Sequence, residues 1–128
     1  MDKKIIIQYT SAVNMFSSNS AVLVGAYMVL CLHMTAEDAY KKLIKKGSKL
    51  NKFAPFRDAG KIQSHFLVGI DDVIKAIEIA KLRGWYDHNY FDVKEYNRLA
   101  SLFDGDMNWI IPGKILATSS PSVCEAEG

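Results

Sequence analysis

The 128-residue chain has little of several features that mark specialised classes of protein. It has only two cysteines, Cys31 and Cys124, which give no support to a disulfide framework. Its 16 basic and 14 acidic side chains nearly cancel, and a net charge of +2 favours neither nucleic acid nor a membrane as a partner. Its longest apolar stretch, residues 21–34, is shorter than the roughly 20 residues that a membrane-spanning helix needs. We therefore expect an intracellular protein, in the cytoplasm or nucleus, without a signal peptide.

Motifs for metals and cofactors are also absent. His33, His65 and His88 are scattered without the spacing of metal ligands, and the sequence contains neither Cys-x-x-Cys nor His-Glu-x-x-His. It contains no glycine-rich loop of the kind that binds nucleotides. Asp87 and His88 are adjacent and are candidates for an acid–base pair, although an ordinary surface loop is the better expectation. We expect no metal and no cofactor.

What the chain does contain is enough apolar material for one core, with 49% hydrophobic residues. Ile5–Ile7 predicts a strand buried on both faces, and residues 10–19 predict a polar loop. Residues 21–34 are apolar nearly all round and predict a central helix. Gly25 inside this helix implies close packing against another element, since glycine weakens a helix interior. Cys31 is expected to be a small buried hydrophobe.

Local signals predict where the other elements begin and end. The candidate caps of the first helix are Ser17, Ser18 and Asn19, that of the second is Thr35, and Asp92 with Glu95 would cap a fourth helix that reaches about Phe103. The third helix is predicted from His65 to Arg83, with Leu67, Ile70, Val73, Ile74, Ile77 and Leu82 on its apolar side. Gly47 and Gly84 would end the second and third helices.

The remaining segments are expected to be connectors and short strands. Lys41, Lys42, Lys45 and Lys46 predict a solvated helix face, and the aromatic segment Trp85–Phe91 predicts core and hinge packing rather than a base-stacking surface. Pro112-Gly113 predicts a type II turn between two short extended pieces. The fold class is thus α/β but predominantly helical, with about four helices and a few short strands.

The segment of residues 10–19 raises the question of an anion site, because a loop that leads into a helix presents unpaired backbone amides. A cysteine phosphatase needs a thiolate nucleophile, such a loop, and an arginine that follows the cysteine after five intervening residues. The corresponding positions here carry no cysteine, arginine or glycine. The remaining polar candidates of this degenerate phosphate loop are Thr10, Ser11, Asn14, Ser17 and Ser18. We therefore expect no catalytic residue in this chain, while weak anion binding stays open.

Several spaced motifs are more specific than these signals. They are QYT and SNSAVLVGAYMVL in the first part, TAEDAYKKL, PFRDA (residues 55–59), GIDDVIKAI, FDVKEY (91–96) and GDMNWIIPGKILATSSP (105–121). In this order they resemble the N-terminal, non-catalytic domain of the mitotic-exit dual-specificity protein phosphatases, the cell division cycle fourteen type. The resemblance covers residues 4–121, without the family's first helices, and leaves 122–128 as a disordered tail.

The resemblance implies a function. Its family has two phosphatase-like folds in tandem, of which only the second carries His-Cys-x5-Arg, and the first packs on the second and helps to form a substrate groove. It implies a catalytic phosphatase domain as partner, absent from this chain, and phosphoprotein substrates with a phosphoserine-proline site near a basic residue. The implied interdomain or groove residues are Arg57, Asp58, Glu95, Asp104, Asp106, Trp109 and Pro112. Asn97, Ala100 and Phe103 stand where the family has carboxylates, which puts attraction of basic substrates in doubt.

Other interpretations remain. Residues 109–112 suit an ordinary core strand equally well, and Arg57 with Asp58 suits an internal ion pair. The chain would be a stand-alone interaction module if it dimerised or bound another partner through an apolar face left uncovered. A hydrolase with a nucleophile other than cysteine is the least favoured hypothesis. No oligomeric state follows from the sequence.

Overall fold

The computed structural model describes residues 7–11, 14–44, 53–57 and 65–120. These form a mixed α/β structure with four α-helices and two small antiparallel sheets, which confirms the predicted fold class. The elements are α1 (Asn14–Leu30), α2 (Ala36–Leu43), β1 (Phe56–Arg57), β2 (Leu67–Val68), α3 (Ile70–Leu82), α4 (Val93–Leu99), β3 (Asn108–Ile111) and β4 (Ile115–Ala117), with 3-10 turns at His88–Tyr90 and Leu102–Asp104. The chain divides into two compact units, residues 1–80 and 81–128.

The core of the first unit lies between its three helices. The buried side chains there are Ala21, Val29, Ala36, Ala39, Ile70 and Ile74. Partly buried side chains, among them Tyr40, Phe53 and Phe56, pack around them. Small residues on α1 and α2 let the helices approach, and the bulk of Ile74 then fills the space between them. Burying a side chain of this size stabilises the fold by about 1.5–3 kcal/mol.

Gly25 lies where α1 packs closely against Ile74 of α3. A methyl group added at Gly25 would lie 2.5 Å from Cδ1 and 2.8 Å from Cγ1 of Ile74. Both distances are too short for carbon atoms, which attract each other best at about 3.5–4.0 Å. The structure therefore confirms that close packing accounts for this glycine in the interior of a helix.

Helix α1 begins earlier than the polar residues suggested, and the predicted N-caps Ser17, Ser18 and Asn19 are wrong. The helix starts at Asn14, so these three residues lie within it. The Ser18 hydroxyl donates to the Ala54 carbonyl oxygen at 2.7 Å, and the Ser20 hydroxyl accepts from Gln8 Nε2 at 3.1 Å. Serine is disfavoured in a helix interior because its hydroxyl competes for hydrogen bonds with local backbone groups. Here the hydroxyls of Ser18 and Ser20 form hydrogen bonds with residues outside the helix.

The first helix is also less central than its composition suggested. Leu23 is 65% exposed and Tyr27 is 43% exposed, so α1 buries only one side. Cys31 lies just beyond the last helical residue and is exposed, which makes the prediction of a buried cysteine wrong. Ile7 is exposed and residues 7–11 form no strand. The rest of the predicted Ile5–Ile7 strand lies outside the described residues.

Helix α2 begins as predicted. Thr35 is its N-cap: Oγ1 accepts from the Asp38 backbone N–H at 3.1 Å and donates to Asp38 Oδ2 at 2.9 Å. Lys41 and Lys42 are exposed, as expected of a solvated face, and Lys41 Nζ lies 2.6 Å from Glu37 Oε1. The other two lysines of that face lie outside the described residues. Helix α2 ends at Leu43 with Ile44 as its C-cap, so the prediction that Gly47 ends this helix is wrong.

Helix α3 begins five residues later than predicted, at Ile70 rather than His65. Leu67, assigned to its apolar side, instead belongs to β2, which pairs antiparallel with β1 in the register Phe56↔Val68 and Arg57↔Leu67. The helical spacing of apolar residues therefore gave a wrong start for α3, because Leu67 and Val68 pair as a strand with β1. Leu82 was also misplaced, since it is largely exposed.

Gly84 ends α3 as predicted. It has a left-handed φ of 64°, and its N–H donates to the Lys81 carbonyl oxygen at 3.1 Å. Earlier in the helix, Lys75 Nζ lies 3.0 Å from Asp71 Oδ2, one turn apart. This hydrogen bond holds the pKa of Asp71 below its ordinary value and raises the pKa of Lys75.

In the second unit, Asp92 caps α4 as predicted. Asp92 Oδ1 accepts from the backbone N–H groups of Lys94 at 2.9 Å and Glu95 at 3.0 Å. The helix ends at Leu99 instead of Phe103, and a separate 3-10 turn follows. A hydrogen bond joins the end of α4 to the residue before β3: the Met107 N–H donates to the Leu99 carbonyl oxygen at 2.7 Å.

The C-terminal strands form the hairpin that Pro112-Gly113 predicted. Strands β3 and β4 pair antiparallel, with Trp109 opposite Leu116. The Lys114 N–H donates to the Ile111 carbonyl oxygen at 2.9 Å, and Gly113 has φ of 71°. These values match a type II turn, which places φ > 0 at its third residue.

Within the described ranges, none of the helices combines the length and the apolar character that crossing a membrane requires.

Candidate functional site

The five residues of the degenerate phosphate loop do not share one loop. Thr10 and Ser11 lie in irregular, exposed chain, whereas Asn14, Ser17 and Ser18 lie on α1. Ser18 is only 1% exposed, and its hydroxyl is bound to the Ala54 carbonyl oxygen. Ser18 therefore holds the segment before β1 against α1, and the layout of a strand, a loop and a helix is not what the described residues show. Anion binding here stays a prediction.

A cavity of about 410 Å³ lies wholly within the second unit. Its most prominent lining is aromatic and consists of Trp85, Tyr86, Tyr90, Phe91, Tyr96 and Trp109. These rings are partly or largely exposed, from 39% for Trp109 to 85% for Tyr90. The prediction that the Trp85–Phe91 segment packs into a core is therefore wrong, since its rings border an open cavity.

Local structure positions the aromatic rings. The cap at Asp92 starts α4 directly after Phe91, which brings the ring of Phe91 to 5.5 Å from that of Tyr96, at an interplanar angle of 48°. Trp109 reaches the cavity from β3, and its Nε1–H donates to Glu95 Oε1 at 3.3 Å. Tilted ring pairs at this separation are favourable. The bond between α4 and β3 fixes the orientation of the indole.

Charged side chains border the same cavity. Asp87, Asp92 and Glu95 are acidic, and Arg83 and Lys114 are basic, so carboxylates are in excess. One oxygen of each carboxylate already accepts a hydrogen bond within the unit: Asp87 Oδ1 from the Asn89 N–H, Asp92 Oδ1 from two α4 amides, and Glu95 Oε1 from Trp109. These hydrogen bonds favour particular orientations of the three carboxylates beside the cavity.

The structure brings together three of the predicted interdomain residues, because Glu95, Trp109 and Pro112 all line the cavity. Asp106 is exposed and lies outside the lining, and its backbone has a left-handed φ of 45°. Asp104 is the last residue of the 3-10 turn that precedes Gly105, and its side chain is not described. Their role in a groove stays a prediction.

The other two predicted residues belong to the first unit. Arg57 is the exposed second residue of β1, and Asp58 lies outside the described residues. The proposed ion pair between them is therefore not tested.

Apart from Trp109, the aromatic members of the cavity were not predicted as a site. A signal was present, since carboxylates interrupt the aromatic run at Asp87 and Asp92. A segment that packs into a core seldom contains ionised groups, because burying an unpaired charge is costly. Aromatic residues interspersed with acidic ones therefore indicate a solvent-accessible surface rather than a buried core.

Neither a metal-ligand cluster nor the Asp87–His88 acid–base pair forms among the described residues. No three His, Cys, Asp or Glu side chains among them lie together as a metal site. Asp87 Oδ1 and His88 Nδ1 are 4.0 Å apart, which is too far for a hydrogen bond, and both side chains are exposed. The arrangement in the second unit is suited to binding.

Comparison with known proteins identifies the family. Residues 1–80 match the family model described as "Dual specificity protein phosphatase, N-terminal half". The chain belongs to this family. The matched residues have the same bounds as the first compact unit.

Relatives extend the similarity into the second unit. The chain is 40% identical over 121 residues to dual specificity protein phosphatase CDC14AB of Danio rerio, covering 94% of this chain and 20% of the relative. It is 36% identical over the same length to CDC14A of Mus musculus, and 41% identical over 103 residues to tyrosine-protein phosphatase cdc-14 of Caenorhabditis elegans, covering 80% of this chain and 14% of that protein. The chain thus spans about a fifth or less of the length of these phosphatases.

Proposed function

We propose that this chain is a non-catalytic domain that docks on the catalytic half of a dual-specificity protein phosphatase through the aromatic cavity of residues 81–120. The observation that carries the proposal is the exposure of clustered aromatic rings, held in place by α4 and β3, in a member of this phosphatase family. Aromatic residues are the side chains that contribute most to protein interfaces.

The sequence supports the proposed absence of catalysis. No cysteine and arginine stand in the thiol-phosphatase pattern, so this chain has no nucleophile paired with a phosphate clamp. Any dephosphorylation of phosphoprotein substrates would take place on the catalytic half. The purified chain is expected to show no turnover of a small aryl phosphate. Turnover that survives both Cys31→Ser and Cys124→Ser would contradict this and point to another nucleophile.

Substrate attraction by the α4 region is proposed to be weak. Asn97 and Phe103 are exposed, and Ala100 is partly exposed, at positions where carboxylates were expected to attract basic substrates. Neutral side chains there supply no long-range attraction for a cationic peptide. The domain would then act mainly through docking.

A pair of tyrosines provides a matched test of the docking surface. Tyr90 and Tyr9 are both highly exposed, at 85% and 92%, but only Tyr90 lines the cavity. The catalytic half of a family member, made without its own N-terminal domain, should bind this chain in a calorimetric titration. We expect Tyr90→Ala to weaken binding by about tenfold and Tyr9→Ala to leave it unchanged. No binding by the unaltered chain at micromolar concentration would reject the proposal.

A second candidate function is a stand-alone interaction module, and the outer side of α1 favours it. Phe16, Leu23 and Tyr27 are exposed and lie seven and four residues apart, which places them on one face of the helix. Self-association through this face predicts a molecular mass that rises with concentration in sizing chromatography with light scattering, and a return to monomer for Leu23→Glu. A monomer at all concentrations would reject this candidate.

A further inference from the structure

The aromatic cavity combines two chemical features that both favour a positive charge. The faces of its tryptophan, tyrosine and phenylalanine rings carry the negative part of the ring quadrupole and attract cations. Three carboxylates and only two basic groups border the same space. A phosphate or carboxylate ligand would face the ring quadrupoles and the excess of carboxylates, so the cavity disfavours anions.

Asp92 and Glu95 each use one carboxylate oxygen in a hydrogen bond within the unit. Asp92 Oδ1 accepts two backbone N–H groups and Glu95 Oε1 accepts the Trp109 indole N–H. In the part of the chain that the structure describes, Asp92 Oδ2 and Glu95 Oε2 accept no hydrogen bond. An ionised acceptor beside aromatic faces is the combination that binds a guanidinium or ammonium group strongly.

The size and the remaining lining of the cavity favour a ligand larger than a small cation. A volume of about 410 Å³ falls within the range of pockets that hold organic ligands. Leu99, Met107 and Ile110 add aliphatic surface to the lining. This surface would cover the hydrocarbon stem of a basic side chain and apolar neighbours on either side of it.

From this charge complementarity we infer that the segment of the catalytic half that enters the cavity carries an arginine or lysine flanked by apolar residues. The inference rests on the proposed docking function. The cation stacks on the aromatic rings and meets Glu95, while the flanking side chains contact the aliphatic part of the lining.

The first experiment tests the charge in the intact chain bound to the catalytic half. Glu95→Gln keeps the shape of the side chain and an oxygen that accepts the Trp109 N–H, and it removes only the charge. We expect binding to weaken about fivefold or more, and the salt dependence of the dissociation constant to decrease. Glu78→Gln on α3, outside the cavity lining, is the matched control and should leave binding unchanged. Binding of normal affinity by Glu95→Gln would overturn the inference and leave the docking proposal intact.

The second experiment does not need the catalytic half. Arginine amide, acetylated at its amino group, is titrated into the ¹⁵N-labelled chain, and the Trp109 indole N–H signal is followed. The neutral isostere, the corresponding citrulline amide, is the control. We expect a saturable shift with arginine amide and at least a fivefold weaker response with citrulline amide. Equal responses, or none with either compound, would overturn the inference even if docking itself failed in the first experiment.

A substrate is the competing source of the cation. A basic phosphopeptide that displaces arginine amide from the isolated chain, while the catalytic half does not, would assign the cavity to substrate and overturn the inference.

Discussion

The two compact units of the chain place their apolar side chains differently. In the first unit, Val29 and Ile74 are almost completely removed from water, and small residues let three helices surround them. In the second unit, Leu99 is the buried hydrophobic residue among those described, while six aromatic rings border an open cavity. The comparison shows that apolar side chains serve internal packing in one unit and border an open cavity in the other.

The largest expected effect is the loss of packing in the first unit. Ile74→Ala removes most of a fully buried side chain and leaves a cavity between three helices, which should lower the free energy of unfolding by about 2–5 kcal/mol. Ile79→Ala, at a half-exposed position of the same helix, is the control and should cost about 0.5 kcal/mol or less. Urea unfolding measures both. Equal losses would show that the packing between these helices does not govern the stability of this unit.

Gly25→Ala should come next. The added methyl group would clash with Cδ1 of Ile74, and the resulting strain of about 1–3 kcal/mol should exceed the roughly 1 kcal/mol that alanine contributes over glycine in a helix. The double variant with Ile74→Val lacks the clashing Cδ1 atom, so its loss should be smaller than the sum of the two single losses. A strictly additive result in chemical denaturation would contradict the close contact.

A smaller effect is expected in the second unit, where the Trp109–Glu95 hydrogen bond joins β3 to α4. Both side chains are exposed, so the coupling between Trp109→Phe and Glu95→Ala should be only about 0.5–1 kcal/mol in a double-mutant cycle. The Trp109 fluorescence spectrum should shift to longer wavelength in Glu95→Ala. Coupling as large as the Ile74 effect would remove the contrast between the two units.

The smallest effect concerns pH. The pKa of Asp71 is lowered mainly by the hydrogen bond from Lys75, so this carboxylate stabilises the folded state above its unfolded pKa. That contribution is lost as the pH falls through the lower, folded pKa. Lys75→Gln should return the Asp71 pKa towards its ordinary value near 3.8, measured by the NMR titration of its carboxyl carbon. An unchanged midpoint would show that the pair is not formed in solution.

Much of the local structure was predictable. The caps at Thr35 and Asp92 and the turn at Pro112-Gly113 were all identified from a few neighbouring residues. Each depends on interactions within about four residues, such as a side-chain oxygen that meets a backbone N–H two or three positions later. Such contacts form in whatever context the segment is placed, so the sequence pattern suffices.

The errors fall where distant residues decide the outcome. Ser18 was assigned to a cap, but it bonds to Ala54, 36 residues later. Leu67 was assigned to a helix, but it pairs with Arg57. At the candidate site, Glu95 and Trp109 were each identified as candidates. Their hydrogen bond and their place beside the same aromatic cavity were not predicted. Hydrophobic periodicity does not contain the identity of a partner that lies far along the chain.

The sequence by itself determined the local caps and turns, the family to which the chain belongs, and the lack of a cysteine–arginine couple for phosphate chemistry. Only the tertiary structure decided where α1 begins and which side chain packs against Gly25, namely Ile74. It also decided that the aromatic residues near Asp92 border a cavity instead of forming a core. The physical reason is that caps and motifs depend on chemistry within a few bonds, whereas burial and cavities depend on which distant surfaces exclude water from each other.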